Sequence, residues 1–244
     1  DVIPSSFDQI TDYDATVIAL KSRTQETHRA VQDSLDALQW LRDHGAQKLY
    51  LKYCSTFDST PTGNIGPVAD AAMERFSVPY TILAPALLPN GRTVRDGTLF
   101  VNGTPLAESH MRHHPLTPMW DSRIAELMRR QSAYPCFPIP ESFYSDSAAL
   151  FSQISLWQQQ YSHFYLVPDD WKPDHGHKIA ALFGSLPFLT GGSGLLEDLG
   201  ALASISTSSP LTPPMQDRSP RLMLAGSCSS ATQEQVHRWL ESGG

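Results

Sequence analysis

Short apolar runs alternate along this chain with stretches whose apolar positions recur every three or four residues. Strand-length runs separated by amphipathic helices predict β-α units around a mainly parallel sheet, an α/β fold with flanking helices. The run Thr16-Val17-Ile18-Ala19-Leu20 predicts a buried strand. After Lys21-Ser22-Arg23 a helix is expected over residues 24–44, where Val31, Leu35, Leu38 and Leu41 share a face and Gly45 suits the position just past its end. Residues 48–53 predict the next strand, 68–76 a helix, 79–84 a third strand, and 92–101 a hairpin turning at Asp96-Gly97.

The second half repeats the alternation more weakly. Helices are expected over 123–130 and 147–160, a strand over 163–167, and part of a short helix over 177–182. A strand over 187–190 runs into Gly191-Gly192-Ser193-Gly194 and a helix over 195–202. From 204 to 220 Ser, Thr and Pro dominate, which marks a linker or a long surface loop. Beyond it come a strand over 221–225, the turn Gly226-Ser227-Cys228-Ser229, and a helix over 231–241 opened by Ser230 and Gln233 at capping-box spacing. The expected organisation is one α/β domain over 1–203, a linker over 204–220, and the start of a second α/β domain over 221–244.

Composition narrows the function. The 244 residues carry 18 Lys+Arg against 25 Asp+Glu, so the net charge of −7 argues against a broad nucleic-acid surface. It leaves room for a small anionic substrate, because a few local donors outweigh the global sign. No apolar run approaches the length of a membrane-spanning helix, and no signal peptide is evident. Cys54, Cys136 and Cys228 are odd in number and widely spaced, which fits free thiols in a reducing cytoplasm. Residue 1 is Asp rather than Met, and the chain is expected to begin inside a longer protein.

Three turns after predicted strands are rich in Ser, Thr and Gly: 55–66, 191–194 and 226–229. Ligands of open α/β sheets sit at the carboxyl ends of strands, where free N–H groups and hydroxyls suit carboxylate or phosphate oxygens. Each turn alone also reads as ordinary caps. The glycine turn at 191–194 lacks the Lys of a P-loop. The run Ser55-Thr56-Phe57-Asp58-Ser59-Thr60 concentrates four hydroxyls and a carboxylate, which suits a polyhydroxy ligand and equally a turn capping the next helix. Arg23 and Arg92 follow the first strand and a turn, where a guanidinium fork could clamp a carboxylate or simply face solvent. Glu108, His110, His113 and His114 lack metal-site spacing, so no metal ligand is expected among them. Cys54 and Cys228 have no identifiable base beside them.

The stretch from Lys52 to Thr60, followed by Gly63-Asn64-Ile65-Gly66-Pro67, resembles the four-carbon acid sugar kinases. The resemblance continues, in the family's order, through Leu20-Lys21-Ser22-Arg23, Asn90-Gly91-Arg92-Thr93-Val94, Met111-Arg112-His113-His114-Pro115, Thr190-Gly191-Gly192-Ser193-Gly194-Leu195 and Gly226-Ser227-Cys228-Ser229. Lys-Tyr-Cys-Ser-Thr-Phe-Asp-Ser together with Met-Arg-His-His-Pro looks like the 3-oxo-tetronate kinase branch. The resemblance implies an ATP- and Mg²⁺-dependent kinase phosphorylating the terminal oxygen of 3-oxo-tetronate. The alternatives are a threonate or erythronate kinase, or a non-catalytic module binding a small hydroxy acid. It implies substrate contacts from Arg23, Phe57, Asp58, Ser59 and Arg92, and nucleotide contacts from Gly226, Ser227 and Ser229. No catalytic base is assigned. The family's opening Asp-Asp-Phe-Thr-Gly strand and most of its nucleotide domain have no counterpart here, so the chain alone is expected to be inactive. A homodimer and a cytoplasmic setting fit the same reading.

Overall fold

In the computed structural model, which describes residues 14–57, 60–203, 224–225 and 230–243, the first element is helix α1 (Thr27–Asp43). The Glu26 carboxylate caps it by accepting from Arg29 N at 3.1 Å, and Gly45 follows its end at φ +94°, the left-handed position that glycine adopts freely. Strand β1 (Leu49–Lys52), α2 (Ile65–Arg75) and β2 (Tyr80–Ala84) come next. A small antiparallel sheet is made by β3 (Arg92–Arg95), β4 (Thr98–Val101) and β5 (Thr104–Pro105). The unit continues through α3 (Ile124–Arg129), β6 (Cys136–Ile139), α4 (Ser147–Gln160), β7 (Phe164–Pro168), α5 (His175–Phe183), β8 (Phe188–Gly191) and α6 (Gly194–Leu202). The chain divides into two units, residues 1–205 and 206–244, and each is described by itself.

The main sheet has the order β1-β8-β2-β7-β6, every pairing parallel. Alternation along the strands sorts the side chains into two cores. Leu49, Leu83, Tyr165, Val167 and Phe188 pack with α1, α2, α3 and the small sheet. Ile82, Phe164, Leu166 and Leu189 pack with α4, α5 and α6. Burial on both faces explains why these strands are continuous apolar runs. The Asp96-Gly97 turn has φ of +49° and +71°, the primed hairpin geometry that the dipeptide predicts.

The structure corrects three expectations. Residues 16–20 form no strand, and Val17 is 89% exposed. A strand needs a neighbour at ladder distance, and among the described residues β1 pairs with β8 alone, so the run has apolar strand composition without a ladder partner there. Second, β6 is a strand where the sequence, with Pro135, Pro138 and Pro140, suggests none. It lies at the sheet edge, where a strand tolerates a residue without an N–H. Third, α2 begins three residues before the predicted start at 68. In the second unit, the helix α7 (Ser230–Glu241) is present. Of the strand expected over 221–225, Leu224 and Ala225 form none and the remainder lies outside the described residues, as does the 204–220 segment.

Between α2 and β7, Asp70 Oδ1 accepts hydrogen bonds from Tyr165 Oη and from Ser132 Oγ at 2.7 Å. Burial nevertheless holds this carboxyl above its ordinary value. A carboxyl whose folded value exceeds its unfolded one binds protons better in the folded state, so its contribution to stability falls as pH rises through that range. Asp70→Asn, which retains an acceptor, is expected to flatten part of the stability profile above the ordinary carboxylate range. Chemical denaturation at several pH values measures this, and an unchanged slope refutes it.

Candidate functional site

Parallel pairing puts the carboxyl ends of β1, β8, β2, β7 and β6 along one crest, the edge on which ligands of such sheets bind. At its β1–β8 end, Tyr53 N donates to Gly191 O at 2.9 Å, and Tyr50 Oη donates to Gly192 O at 2.7 Å. Gly192 N donates to Ala84 O at 2.9 Å, which ties the glycine turn to β2 as well. These approaches need glycine: a Cβ on Gly192 would stand 2.9 Å from Pro85 O, and one on Gly194 would stand 2.5 Å from Ala86 O.

The Arg23 turn is docked onto the start of α2. Asn64 Nδ2 donates to Ser22 O at 2.6 Å and to Gln25 O at 2.8 Å, so a buried amide holds both sides of the turn. Arg23 itself is exposed. It lines, with Lys52, Cys54 and Asn64, a groove of about 1180 Å³ running along the free edge of β1. The structure therefore brings Arg23 into one groove with Cys54 and Asn64, which flank the hydroxyl-rich segment 55–60 in the chain. Asp58 and Ser59 lie outside the described residues. Phe57 is fully buried, at φ +50°, and packs edge-on against Tyr53 at 5.3 Å. Its ring belongs to the core, so any contact with a ligand falls to its backbone.

Arg92 stands over the middle of the crest. It pairs with Leu87, whose Cα would lie 3.4 Å from a Cβ on Gly194, so Arg92 and the glycine turn share a neighbourhood. Its Nη1 donates to Asn90 O, while its buried Nε has no hydrogen-bond partner. Gly91, at φ +70°, packs against Asn102, which explains the Asn-Gly ahead of Arg92.

Sequence reasoning missed a second polar cluster, after β7 and β6. Asp169 is buried and accepts from Asp96 N at 2.7 Å and Glu141 N at 3.3 Å, joining the hairpin to the crest. Burial outweighs these bonds and raises its carboxyl. Glu141 is held below its ordinary value by Lys172 at 2.6 Å, with buried His175 at 3.1 Å. Asp170 and Trp171 follow in the same segment. The Asp-Asp pair at 169–170 after an apolar strand is the signal that could have found them.

His114 Nδ1 accepts from Thr117 N at 3.0 Å, and buried Met111 anchors the turn carrying His110 and His113. Among the described residues no group of three His, Cys, Asp or Glu side chains could hold a metal ion. Gly226, Ser227 and Ser229 lie outside the described residues. No described helix is long and apolar enough to cross a membrane.

The family model for a sugar-binding N-terminal domain matches residues 3–199. The chain is 41% identical over 98% of its length to a 3-oxo-tetronate kinase of Pectobacterium atrosepticum, covering 57% of that protein. It is 42% identical over 91% of its length to one from Salmonella typhimurium, covering 53% of it. A solved structure of a DUF1537 protein from Haemophilus influenzae superposes with a TM-score of 0.76 at 36% identity, covering 95% of this chain and 56% of that one. The chain thus spans about half the length of the curated relatives it matches. With a parallel α/β sheet, a glycine-lined crest and a match over nearly the whole first unit, the chain belongs to the sugar-binding N-terminal domain family, and within it is similar to the 3-oxo-tetronate kinases.

Proposed function

We propose that this chain is the acid-binding half of an ATP-dependent kinase that transfers a phosphoryl group to the terminal oxygen of 3-oxo-tetronate. The observation carrying the proposal is the identity of 41% over 98% of the chain to a 3-oxo-tetronate kinase. The crest supports it with Arg23 at its β1 end, Arg92 over its middle, and glycine turns that leave backbone groups near a ligand. Arg23 takes the substrate carboxylate, the backbone at Phe57 with Asp58 and Ser59 takes hydroxyls, and Arg92 closes the other side. The substrate is an anion of small size, so two guanidinium forks suffice to bind it on a chain of negative net charge.

The nucleotide side, with Gly226, Ser227 and Ser229 meeting ATP, is proposed from the motif. ATP with Mg²⁺ supplies the phosphoryl group and neutralises its charge, while this chain's crest aligns the accepting hydroxyl. A homodimer and a cytoplasmic setting belong to the same reading, with Cys54 and Cys136 as free thiols.

Calorimetric titration with 3-oxo-tetronate, threonate, erythronate and butyrate tests the binding half. Saturable binding of at least one hydroxylated acid, and none of butyrate, is expected. Given ATP and Mg²⁺, the intact protein should phosphorylate 3-oxo-tetronate, whereas the 244-residue chain by itself should be silent. Failure of every hydroxylated acid to bind removes the proposal. Turnover by the 244-residue chain alone would remove the division of labour.

A further inference from the structure

Asp169 and Asp170 are consecutive, and both are buried at the carboxyl end of β7, yet their carboxylates are used differently. Asp169 spends both oxygens on backbone N–H groups of Asp96 and Glu141. Asp170 is 6% exposed, and its Oδ1 has no hydrogen-bond partner. Its backbone is held by a reciprocal pair of bonds to one residue, donating to Val94 O at 2.8 Å and accepting from Val94 N at 2.9 Å. A buried acceptor without a donor is costly, and a rigid backbone prevents it from turning away.

The pairing also says what faces it. Val94 and Asp170 are antiparallel partners, so their side chains share a face, and Arg92, two residues earlier on β3, lies diagonally on that same face. Arg92 Nε is a buried donor without a partner, as Asp170 Oδ1 is a buried acceptor without one. The two lie on one face of the β3 pairing, and these two atoms are not hydrogen-bonded to each other.

We infer that Asp170 is a ligand-binding residue of the crest, accepting a hydrogen bond from a substrate hydroxyl while Arg92 donates to a neighbouring oxygen. When ionised the carboxylate only accepts, and a guanidinium only donates, so the pair selects a molecule offering both a hydroxyl hydrogen and an anionic or carbonyl oxygen, and a hydroxy acid offers both. Burial, and after it the charge of Asp198 on α6, push the Asp170 carboxyl up to about 7. Tyr144, ahead of α4, feels the charge of Asp170 as well as that of Asp169, its neighbour in the chain. A site that keeps such a group holds it at the expense of stability, as binding sites commonly do. The folded value exceeds the unfolded one, so that cost grows as pH rises from the carboxylate range through about 7 and is complete above it.

This inference rests on the acid-binding reading above, and the test separates the two. Asp170→Asn and Asp170→Ala are compared with the wild-type chain by thermal melting at pH 5 and pH 8 and by calorimetry with threonate. Both variants are expected to melt higher than wild type at pH 8, with a smaller gain at pH 5. Asp170→Ala should bind threonate at least tenfold more weakly, with Asp170→Asn between the two. A merely structural aspartate would behave oppositely, losing stability on substitution. Unchanged threonate affinity in Asp170→Ala, or variants that melt lower than wild type at pH 8, overturns the inference while leaving the acid-binding reading standing. Absence of binding to the wild-type chain by every hydroxylated four-carbon acid overturns both.

Discussion

Gly191→Ala is expected to destabilise the protein by about 3 kcal/mol, because the new methyl group would enter occupied space on two sides. Gly191 pairs with Lys52 of β1 and with Ala84 of β2, so it sits in the middle of three strands. Its Cβ would stand 2.3 Å from Tyr50 Oη and 2.7 Å from Ala84 O. The tyrosine hydroxyl can move, at the loss of its bond to Gly192 O, but the carbonyl belongs to the ladder and cannot. Adding Tyr50→Phe should therefore recover only part of the loss, about 1 kcal/mol of coupling between the two sites. Urea denaturation of the single and double variants measures both quantities. A loss below about 0.5 kcal/mol for Gly191→Ala, the range of an indifferent surface change, contradicts this packing.

The second large effect concerns the ligand. Arg23→Ala should weaken binding of threonate by about 2 kcal/mol, roughly thirtyfold in Kd. Truncation leaves a ligand carboxylate without its charged donor. The exposure of Arg23 keeps the value below that of a fully desolvated pair. Arg23→Lys should recover the charge but not the two-point fork, and so fall between the two. Unaltered calorimetric affinity in Arg23→Ala would move the carboxylate site elsewhere on the crest.

Local chemistry made much of this fold legible. The apolar runs at 79–84 and 163–167 are strands because both of their faces are buried, and such burial leaves an unbroken apolar pattern. Asp96-Gly97 announced its hairpin because both residues tolerate positive φ. The run at 16–20 carries the same apolar pattern and is not a strand, since a strand is completed by its neighbour and not by its own composition. The opposite case is β6, where prolines hide a strand that edge position permits.

The site divides in the same way. Sequence alone could single out Arg23, Arg92 and the glycine turn, because guanidinium groups and glycines after strands carry their chemistry in their identity. It could not tell that the Phe57 ring belongs to the core, nor that Asn64 clasps the Arg23 turn across 42 and 39 positions of chain. Nor could it separate Asp169, which bonds to backbone, from Asp170, which keeps an oxygen free. Residue types and their periodicity determined the α/β class and which turns could hold an acid. Burial and long-range hydrogen bonding decided which side chains belong to the core and which keep a polar group free, because those depend on partners that only the folded chain brings within reach.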